Sequence, residues 1–537
     1  MTTLPSRSSS SLPTDPRASS SFDSHRSEPV HPDGQAGATP LVTDQTIPGS
    51  NTQNRKQGNL TFTNCLALVL GLQIGSGIFS APSHVSNHVP SPGMAIVVWL
   101  LAGILVWTGA ASFIELGLVI PRNGGVQEYL RVCYGEFMGF LFSWVWIAIA
   151  KGCSNATIGI VFAENVAIAF ATDGILPAWQ LKVIAILAIL FITLVNCVGS
   201  VAGARAANAF LLLKLLTVFS IAIIGIAVGV SKFSPGSPQS RPHWFADDPL
   251  RRNMGVWEKI GDYITAAFGA LFCYGGWETV GFVAADMIHP ARDLPRVLNT
   301  AMGVAVSGFV FMNIALFMVL PFEQMRQKSF VAVNFGLQLF GLPGGLIYSL
   351  AVSLVCLGAL NANIFALGRL SVTASKSGYF PKVIGNGHCI SREGDAPYTR
   401  KALQWFPSFL TSGIFWFAEK TEHLRWDNQV PLYAMMINAS IASFYVILGS
   451  FDSLVKFFGI SEYLFFLLAV LGLFMLRRRR DKAPPDRSYR TATFNPVIFC
   501  IFSSFIVVRG VITDPLQGLS ILILILVGWV VFRLKSR

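Results

Sequence analysis

The chain has 537 residues, of which 53% are hydrophobic and only 13% are charged, and its mean hydropathy is +0.55. A soluble protein of this size would carry more charge between its elements. The formal net charge of +12 concentrates in particular loops, which argues against nucleic acid as a partner. Runs of about 20 apolar residues, each long enough to cross a bilayer, recur along the sequence and predict an all-α polytopic membrane protein.

The amino-terminal segment differs from the rest of the chain. Residues 1–58 are polar and rich in Ser, Pro and Thr, which predicts a disordered tail. About twelve spans follow at 60–86, 93–119, 138–170, 180–200, 206–230, 260–285, 296–320, 345–370, 429–449, 453–476, 493–511 and 515–534. Lys and Arg favour alternate loops, with the loop 230–258 as a mild exception, so the positive-inside rule places both termini in the cytoplasm.

The first span contains GLQIGSGIFSAPS, residues 71–83, and has its poorest helix formers in the middle. These glycines either allow close helix packing or mark a break in the helix. A break would free the amides of Ser76, Gly77 and Ile78 at the start of a second half-helix. The positive end of that half-helix would attract a carboxylate.

Two lysines lie well inside later spans, away from the span ends, where a charge is costly and is a functional candidate by default. Lys214 in the fifth span is either a fixed cation in the place of a coupling sodium ion or a side chain that snorkels to the cytoplasmic face. Lys151 in the third span presents the same choice at greater depth. Both interpretations stay open for both residues.

The sixth span repeats the pattern of the first. It reads FGALFCYGGWETVGF, with Gly275, Gly276 and Gly281 in its middle, and it lies five spans after the first. Glycine-interrupted spans at matching places in two five-helix halves indicate an inverted repeat and its binding site. Carbonyls at the breaks would hold an ammonium group. Together the breaks suit a zwitterion, of which an α-amino acid is the commonest small example.

Acidic residues in the spans leave several possibilities. Glu278 in the sixth span and Glu462 in the tenth are each a proton carrier, a counter-ion for a cationic substrate, or a neutral carboxyl group bonded within its helix. Glu115, at the end of the second span, is predicted to form a structural salt bridge. The eight Cys show neither metal-ligand nor disulfide-framework spacing, and no Walker motif is present. We therefore expect no metal, no cofactor and no enzymatic activity.

Residues 387–428 form an unusual insertion. Its apolar core, FPSFLTSGIFWF, is too short to cross a bilayer. The segment either lies in the membrane interface, with Trp405, Trp416 and Trp426 near the headgroups, or derives from a retained intron.

An ordered set of motifs from Asn59 to the carboxyl terminus resembles the L-type amino-acid transporters (LAT) of the amino acid–polyamine–organocation superfamily. The motifs are IGSGIFSAP, ELGLVIPRNGG, VNCVGSVAGAR, LFCYGGWETVGF, HPARDLPR, VAVNFG, LNANIFALGRL and PPDRSYRT. The Ser- and Pro-rich tail and the stretch GISEY…LGLFMLR resemble those of fungal members, including members related to methionine permeases. The resemblance implies a permease domain at 59–534, with inverted repeats at 59–230 and 260–476, broken helices 1 and 6, two extra helices at 493–534, and alternating access.

The resemblance also assigns residues. Ser76, Gly77 and Ile78 match the carboxylate-binding backbone. Ile74, Phe272 and Gly275 match the ammonium-binding and gating positions, and Lys214 matches a lysine that replaces sodium in this family. The full predicted substrate-binding set is Ile74, Gly75, Ser76, Gly77, Ile78, Phe272, Gly275, Trp277 and Glu278.

The expected function is sodium-independent transport of large neutral L-amino acids, methionine among them, across the plasma membrane. Glu278 stands where relatives often carry Asn, so a basic amino-acid transporter or an exchanger is an alternative. Glu462 joins Glu278 as a possible proton or selectivity residue. A non-transporting amino-acid sensor is a further alternative. The expected partners are the substrate and membrane lipid. In the animal members of the family that this chain resembles, a Cys between spans three and four forms a disulfide to a heavy chain. The corresponding stretch here, 171–180, contains no Cys, so no disulfide-linked heavy chain is expected.

Overall fold

The structure is a computed structural model, and it describes eight stretches of the chain. These are residues 60–170, 176–198, 200–232, 244–245, 254–327, 330–381, 432–480 and 489–535. The predicted tail 1–58 and the insertion 387–428 lie outside the described residues.

The described part of the chain consists of helices joined by short turns and connections, with no extended strand. In chain order the helices are α1 (Phe62–Gln73), α2 (Gly77–Asn87), α3 (Pro92–Val119), α4 (Val126–Tyr134), α5 (Glu136–Phe170), α6 (Ala178–Val198), α7 (Ser200–Lys232), α8 (Val256–Tyr274), α9 (Pro290–Val319), α10 (Phe322–Gln327), α11 (Val331–Lys376), α12 (Leu432–Leu448), α13 (Phe451–Arg480), α14 (Phe494–Thr513) and α15 (Pro515–Lys535). A 3₁₀ helix, Trp277–Asp286, follows α8.

Ten helical segments of the described residues are long and apolar enough to cross a membrane, counting α1 and α2 together. The other two predicted spans correspond to the divided segment α8 with its 3₁₀ helix and to the shorter helix α12. The outer faces of the helices carry large apolar side chains, such as Leu101, Ile223 and Leu342. An apolar exterior of this extent fits contact with lipid tails, and the prediction of an all-α polytopic membrane protein is confirmed.

Both predicted breaks are present. The helix of the first span stops at Gln73 and starts again at Gly77. The sixth span stops at Tyr274, passes through extended Gly275 and left-handed Gly276 (φ 100°), and continues as the 3₁₀ helix. Glycine adopts the left-handed conformation without the steric cost that other residues pay, which explains its presence at position 276.

Two elements differ from the sequence expectation. The eighth span was predicted at 345–370, but α11 already begins at Val331 and bends at Gly341 (φ 66°) before it runs to Lys376. The short helix α4 was not predicted, because its mixture of charged and apolar residues reads as a loop.

One end of the bundle is held by polar contacts between distant segments. The Arg477 guanidinium pairs with both carboxylate oxygens of Glu115, at 2.6 and 3.0 Å, which confirms the predicted structural salt bridge. The Thr491 amide donates to the same carboxylate over 2.8 Å. The backbone of Leu60, before the first span, bonds to Asp286 and Ile288, after the sixth. The two broken segments are thus joined at this end as well as at the breaks.

Candidate functional site

A small cavity lies where the two helix breaks meet. Seven of the predicted residues line it: Gly75, Ser76, Gly77, Phe272, Gly275, Glu278 and Glu462. Three further helices complete its wall, each with residues spaced so that they share one helix face. They contribute Lys151, Ser154 and Ile158 from α5, Ala359 and Asn363 from α11, and Phe458 and Glu462 from α13.

The first break presents hydrogen-bond donors to this cavity. The helical bonding of α2 begins with the Phe79 amide, which donates to the Ser76 carbonyl over 3.1 Å. The amides before Phe79 belong to a helix start, where backbone donors have no partner within the helix. The Ser76 hydroxyl is buried, 1% exposed, and has no hydrogen-bond partner among the described residues. This arrangement suits an anionic group.

Gly77 allows the breaks to approach each other. A Cβ atom at Gly77 would lie 2.9 Å from the Cys273 sulfur and 3.0 Å from the Phe272 ring. Both distances are tighter than ordinary packing permits. A larger residue at position 77 would therefore fill the space between the start of α2 and the end of α8.

The second break is held by its own side chains. The Gly276 amide donates to Oε2 of Glu278 over 2.8 Å, so this carboxylate caps the broken segment. The Thr279 hydroxyl donates to the Gly276 carbonyl over 2.5 Å. Phe272, half-buried, contacts Phe458 edge-on with 5.8 Å between ring centroids, and this aromatic pair forms one side of the cavity.

Three predicted residues lie outside the cavity lining. Ile74 and Ile78 are fully buried in the apolar core. Trp277 packs edge-on against Phe113, with 4.7 Å between ring centroids, and against Phe466 at 5.2 Å. The backbone of Ile74 and Ile78 borders the first break, whereas the Trp277 side chain belongs to the packing behind the second.

Lys214 also lies outside the lining but touches the broken span. Its side chain on α7 is 1% exposed, and its ammonium donates to the Gly71 carbonyl in α1 over 2.5 Å. The ammonium therefore does not snorkel to either face. It supplies a positive charge beside the carbonyl end of the first half-helix, where the helix dipole is negative.

Three ionisable side chains share the cavity. The Lys151 ammonium lies 3.6 Å from Oε1 of Glu278, and both side chains are almost fully buried. Glu462 lines the same cavity, and its Oε1 has no hydrogen-bond partner among the described residues. One ammonium thus faces two carboxyl groups in a space shielded from water.

Sequence reasoning missed Ser154 and Asn363. The Asn363 amide donates to the Ser154 hydroxyl (3.0 Å) and to the Asn155 side chain (2.8 Å), and Asn155 donates to Asn438 over 2.7 Å. These bonds link α5, α11 and α12 beside the cavity. The signal was present in the sequence as polar residues inside apolar spans, in KGCSNAT and LNANIF.

The site contains backbone donors for an anion, the carbonyl ends of half-helices for a cation, and three ionisable side chains. Within the described residues, no group of three or more His, Cys, Asp or Glu is placed to hold a metal ion. A small polar cavity between two broken helices is the arrangement found in membrane transporters with interrupted spans.

Comparison with known proteins gives the family. Residues 60–532 match the amino acid permease family, so the chain belongs to it. It is an amino-acid transporter of the LAT branch of the amino acid–polyamine–organocation superfamily, and not an enzyme.

Three relatives show the breadth of this branch. The chain is 27% identical over 467 residues to the b(0,+)-type amino acid transporter 1 of Mus musculus, covering 87% of this chain and 85% of the relative. It is 26% identical over 481 residues to the cystine/glutamate transporter of Homo sapiens, covering 89% and 85%. It is 24% identical over 497 residues to the large neutral amino acids transporter small subunit 2 of Rattus norvegicus, covering 92% and 83%.

Proposed function

We propose that the protein moves large neutral L-amino acids, methionine among them, across the membrane by alternating access and without sodium. The observation that carries this proposal is the meeting of two helix breaks at one cavity, with the unpartnered Ser76 hydroxyl and the start of α2 on its wall. A zwitterion needs an anion site and a cation site a few ångströms apart, and the two breaks supply them.

In this proposal the substrate carboxylate lies at the first break. The amides of Ser76, Gly77 and Ile78 and the Ser76 hydroxyl donate to it, and the positive end of α2 adds a favourable dipole. The substrate ammonium lies against the carbonyl ends of α1 and α8, whose last turns contribute Leu72, Gln73 and Phe272 to the cavity wall.

The side chain of the substrate then points toward α5, α11 and α13. Ile158, Ala359 and Phe458 supply apolar surface there, which favours a large neutral side chain. The relatives include a transporter named for large neutral amino acids and one named for cystine and glutamate, so the branch spans several substrate classes.

Lys214 supports sodium independence. A coupling sodium ion in a broken-helix transporter is held by backbone carbonyls at the break. Here a buried ammonium already takes the Gly71 carbonyl. We infer that Lys214 fills the place of that ion and holds the first half-helix in position.

Alternating access is supported by the size of the cavity. Its volume is about 40 Å³, whereas one water molecule needs about 10–15 Å³ by this measure, so an amino acid cannot fit without movement of the walls. Phe272 and Phe458 are the side chains whose separation would open it.

We further propose that the protein works in the plasma membrane with both termini in the cytoplasm and without a disulfide-linked partner. The distribution of Lys and Arg supports the orientation. The absence of Cys from residues 171–180 supports the lack of a covalent partner. Equal mobility of the tagged protein on reducing and non-reducing gels is the expected result, and a larger non-reduced species would contradict it.

The proposed function is tested by uptake of labelled amino acids into a host that lacks its own permeases, with competition by each of the twenty amino acids. Saturable uptake, inhibited most strongly by large neutral amino acids, supports the proposal. Saturable uptake restricted to basic amino acids supports the alternative substrate class. Binding with signalling but no transport would favour a sensor.

A further inference from the structure

We propose that Lys151 is a built-in cation that fills the acidic part of the cavity and thereby excludes cationic amino acids. This inference rests on the proposed function, because it concerns the side-chain end of the same site. It also changes the interpretation of Glu278. An unpaired acidic side chain in the cavity would suggest a basic substrate, whereas Glu278 is paired with Lys151.

The geometry makes Lys151 resemble a bound substrate side chain. Its ammonium lies 3.6 Å from Oε1 of Glu278 and 5.4 Å from the centre of the Trp146 ring. A substrate lysine or ornithine also ends in a primary ammonium, which forms the same ion pair with a carboxylate and the same cation–π contact with an aromatic ring. Lys151 belongs to α5, so its ammonium occupies this place beside Glu278 before any substrate binds.

The charges of the cavity explain the exclusion. Both oxygens of Glu278 already have a neighbour: Oε2 accepts from the Gly276 amide, and Oε1 lies 3.6 Å from the Lys151 ammonium in an ion pair without a hydrogen bond. A second cation beside Lys151 would meet a like charge in a low-dielectric space. A neutral side chain meets no such penalty and can use the apolar surface of Ile158 and Phe458.

A purely structural ion pair would not need to border the substrate site. Both Lys151 and Glu278 line the cavity, as does Glu462. Removal of the ammonium would leave two carboxyl groups facing this space, of which Glu278 keeps its position through the Gly276 amide. The cavity would then have the charge pattern of a site for a cationic side chain.

The first test needs no variant. Norleucine is a lysine whose terminal ammonium is absent, and citrulline is a neutral analogue of arginine. We expect L-norleucine and L-citrulline to inhibit uptake of labelled L-leucine, while L-lysine and L-arginine inhibit it roughly tenfold less well or worse. Equal inhibition within each pair would overturn the proposal.

The second test removes the internal cation. Lys151→Met should gain saturable uptake of labelled L-lysine, at least roughly tenfold above wild type. Lys151→Met with Glu278→Gln should lose that gain, because the receiving carboxylate is gone. Lys376→Met, which changes an exposed lysine at the end of α11, is the matched control and should leave substrate selection unchanged.

Two outcomes separate this inference from the proposed function. If wild type shows no saturable uptake of any neutral amino acid, the proposed function fails. If wild type carries neutral amino acids but Lys151→Met reaches the membrane and gains no L-lysine uptake, only this inference fails. If Lys151→Met does not reach the membrane, Lys151→Met with Glu462→Gln restores the net charge of the cavity and should show the same gain. Failure of that variant to reach the membrane leaves the comparison of norleucine with lysine as the deciding result.

Discussion

The side-chain amide of Gln73, the last residue of α1, donates to the backbone carbonyl of Tyr274, the last residue of α8, over 3.5 Å. This bond joins the two helix breaks directly, although the residues are 201 positions apart in the chain. Leu72 and Gly276 also approach closely at this point. The breaks therefore act as one unit, and a change in either one should affect the other.

Gly77 tests the anion site. Gly77→Val places a branched side chain against Cys273 and Phe272 and in front of the free amides of α2. We expect uptake to fall roughly tenfold or more, which corresponds to about 1.4 kcal/mol of lost stabilisation, while the amount of protein at the membrane is maintained. Uptake of labelled L-leucine, normalised to surface protein, is the measurement.

Gly303→Val is the matched control for Gly77→Val. A Cβ at Gly303 meets only the tip of the Trp107 ring, at 3.8 Å, which is an ordinary contact. Near-normal uptake is expected for this variant. Near-normal uptake for Gly77→Val as well would refute the site assignment.

Gly276 tests the meeting of the breaks. Its left-handed conformation (φ 100°) costs other residues about 1–2 kcal/mol, and its Cβ would also lie 2.6 Å from the Leu72 Cβ. Gly276→Ala should therefore lose uptake and also lower the unfolding temperature in detergent.

Gly341→Ala separates the effect of backbone strain from the effect of a steric clash between the two helix breaks. Gly341 is left-handed too (φ 66°), but a Cβ there meets no atom within 4 Å. This variant should lower the unfolding temperature without loss of uptake. A similar loss of uptake in both variants would show that backbone strain, rather than a clash between the two helix breaks, is responsible.

Lys214 tests the replacement of sodium. Wild-type uptake should be the same in sodium and in choline buffers. Lys214→Met removes the donor to the Gly71 carbonyl and should reduce uptake roughly tenfold or more in either buffer. Dependence of wild-type uptake on sodium would contradict this assignment of Lys214.

The salt bridge of Glu115 and Arg477 tests the fold independently of transport. Removal of one partner from a buried ion pair costs about 3–5 kcal/mol, so Glu115→Gln should lower the unfolding temperature of the solubilised protein substantially. Arg122→Gln removes a 4.0 Å contact from a side chain that is 64% exposed, and it should cost about 0–1 kcal/mol. Equal effects of the two changes would contradict a structural role for the buried pair.

The positions of the spans follow from hydropathy, and the two breaks follow from glycines in segments that otherwise read as continuous helices. Both features are local in sequence, so they can be recognised without knowledge of packing. The pairing of Lys151 with Glu278 could not be predicted in this way. It depends on which faces of α5 and the 3₁₀ helix meet, and these segments are separated by more than a hundred residues.

Trp277 shows the same limit of local sequence patterns, here through a residue that was predicted to line the cavity but does not. It follows the glycine pair directly and was predicted to bind substrate. The left-handed turn at Gly276 and the tight winding of the 3₁₀ helix direct its ring toward Phe113 and Phe466. The glycines reveal where the helix breaks, but they do not reveal the direction in which the next side chain leaves.

The most direct test of the central claim asks whether the two helix breaks bind both the carboxylate and the ammonium group of a zwitterion. Uptake of labelled L-leucine by the purified protein in liposomes is measured in the presence of one unlabelled competitor at a time. The competitors are L-leucine, L-leucine methyl ester, 3-methylbutylamine and 4-methylpentanoic acid. The last three lack, in turn, the free carboxylate, the whole carboxyl group and the ammonium group. We expect only unlabelled L-leucine to compete effectively. Competition by the ester or the amine as strong as that of L-leucine would contradict a carboxylate site at Ser76 and Gly77.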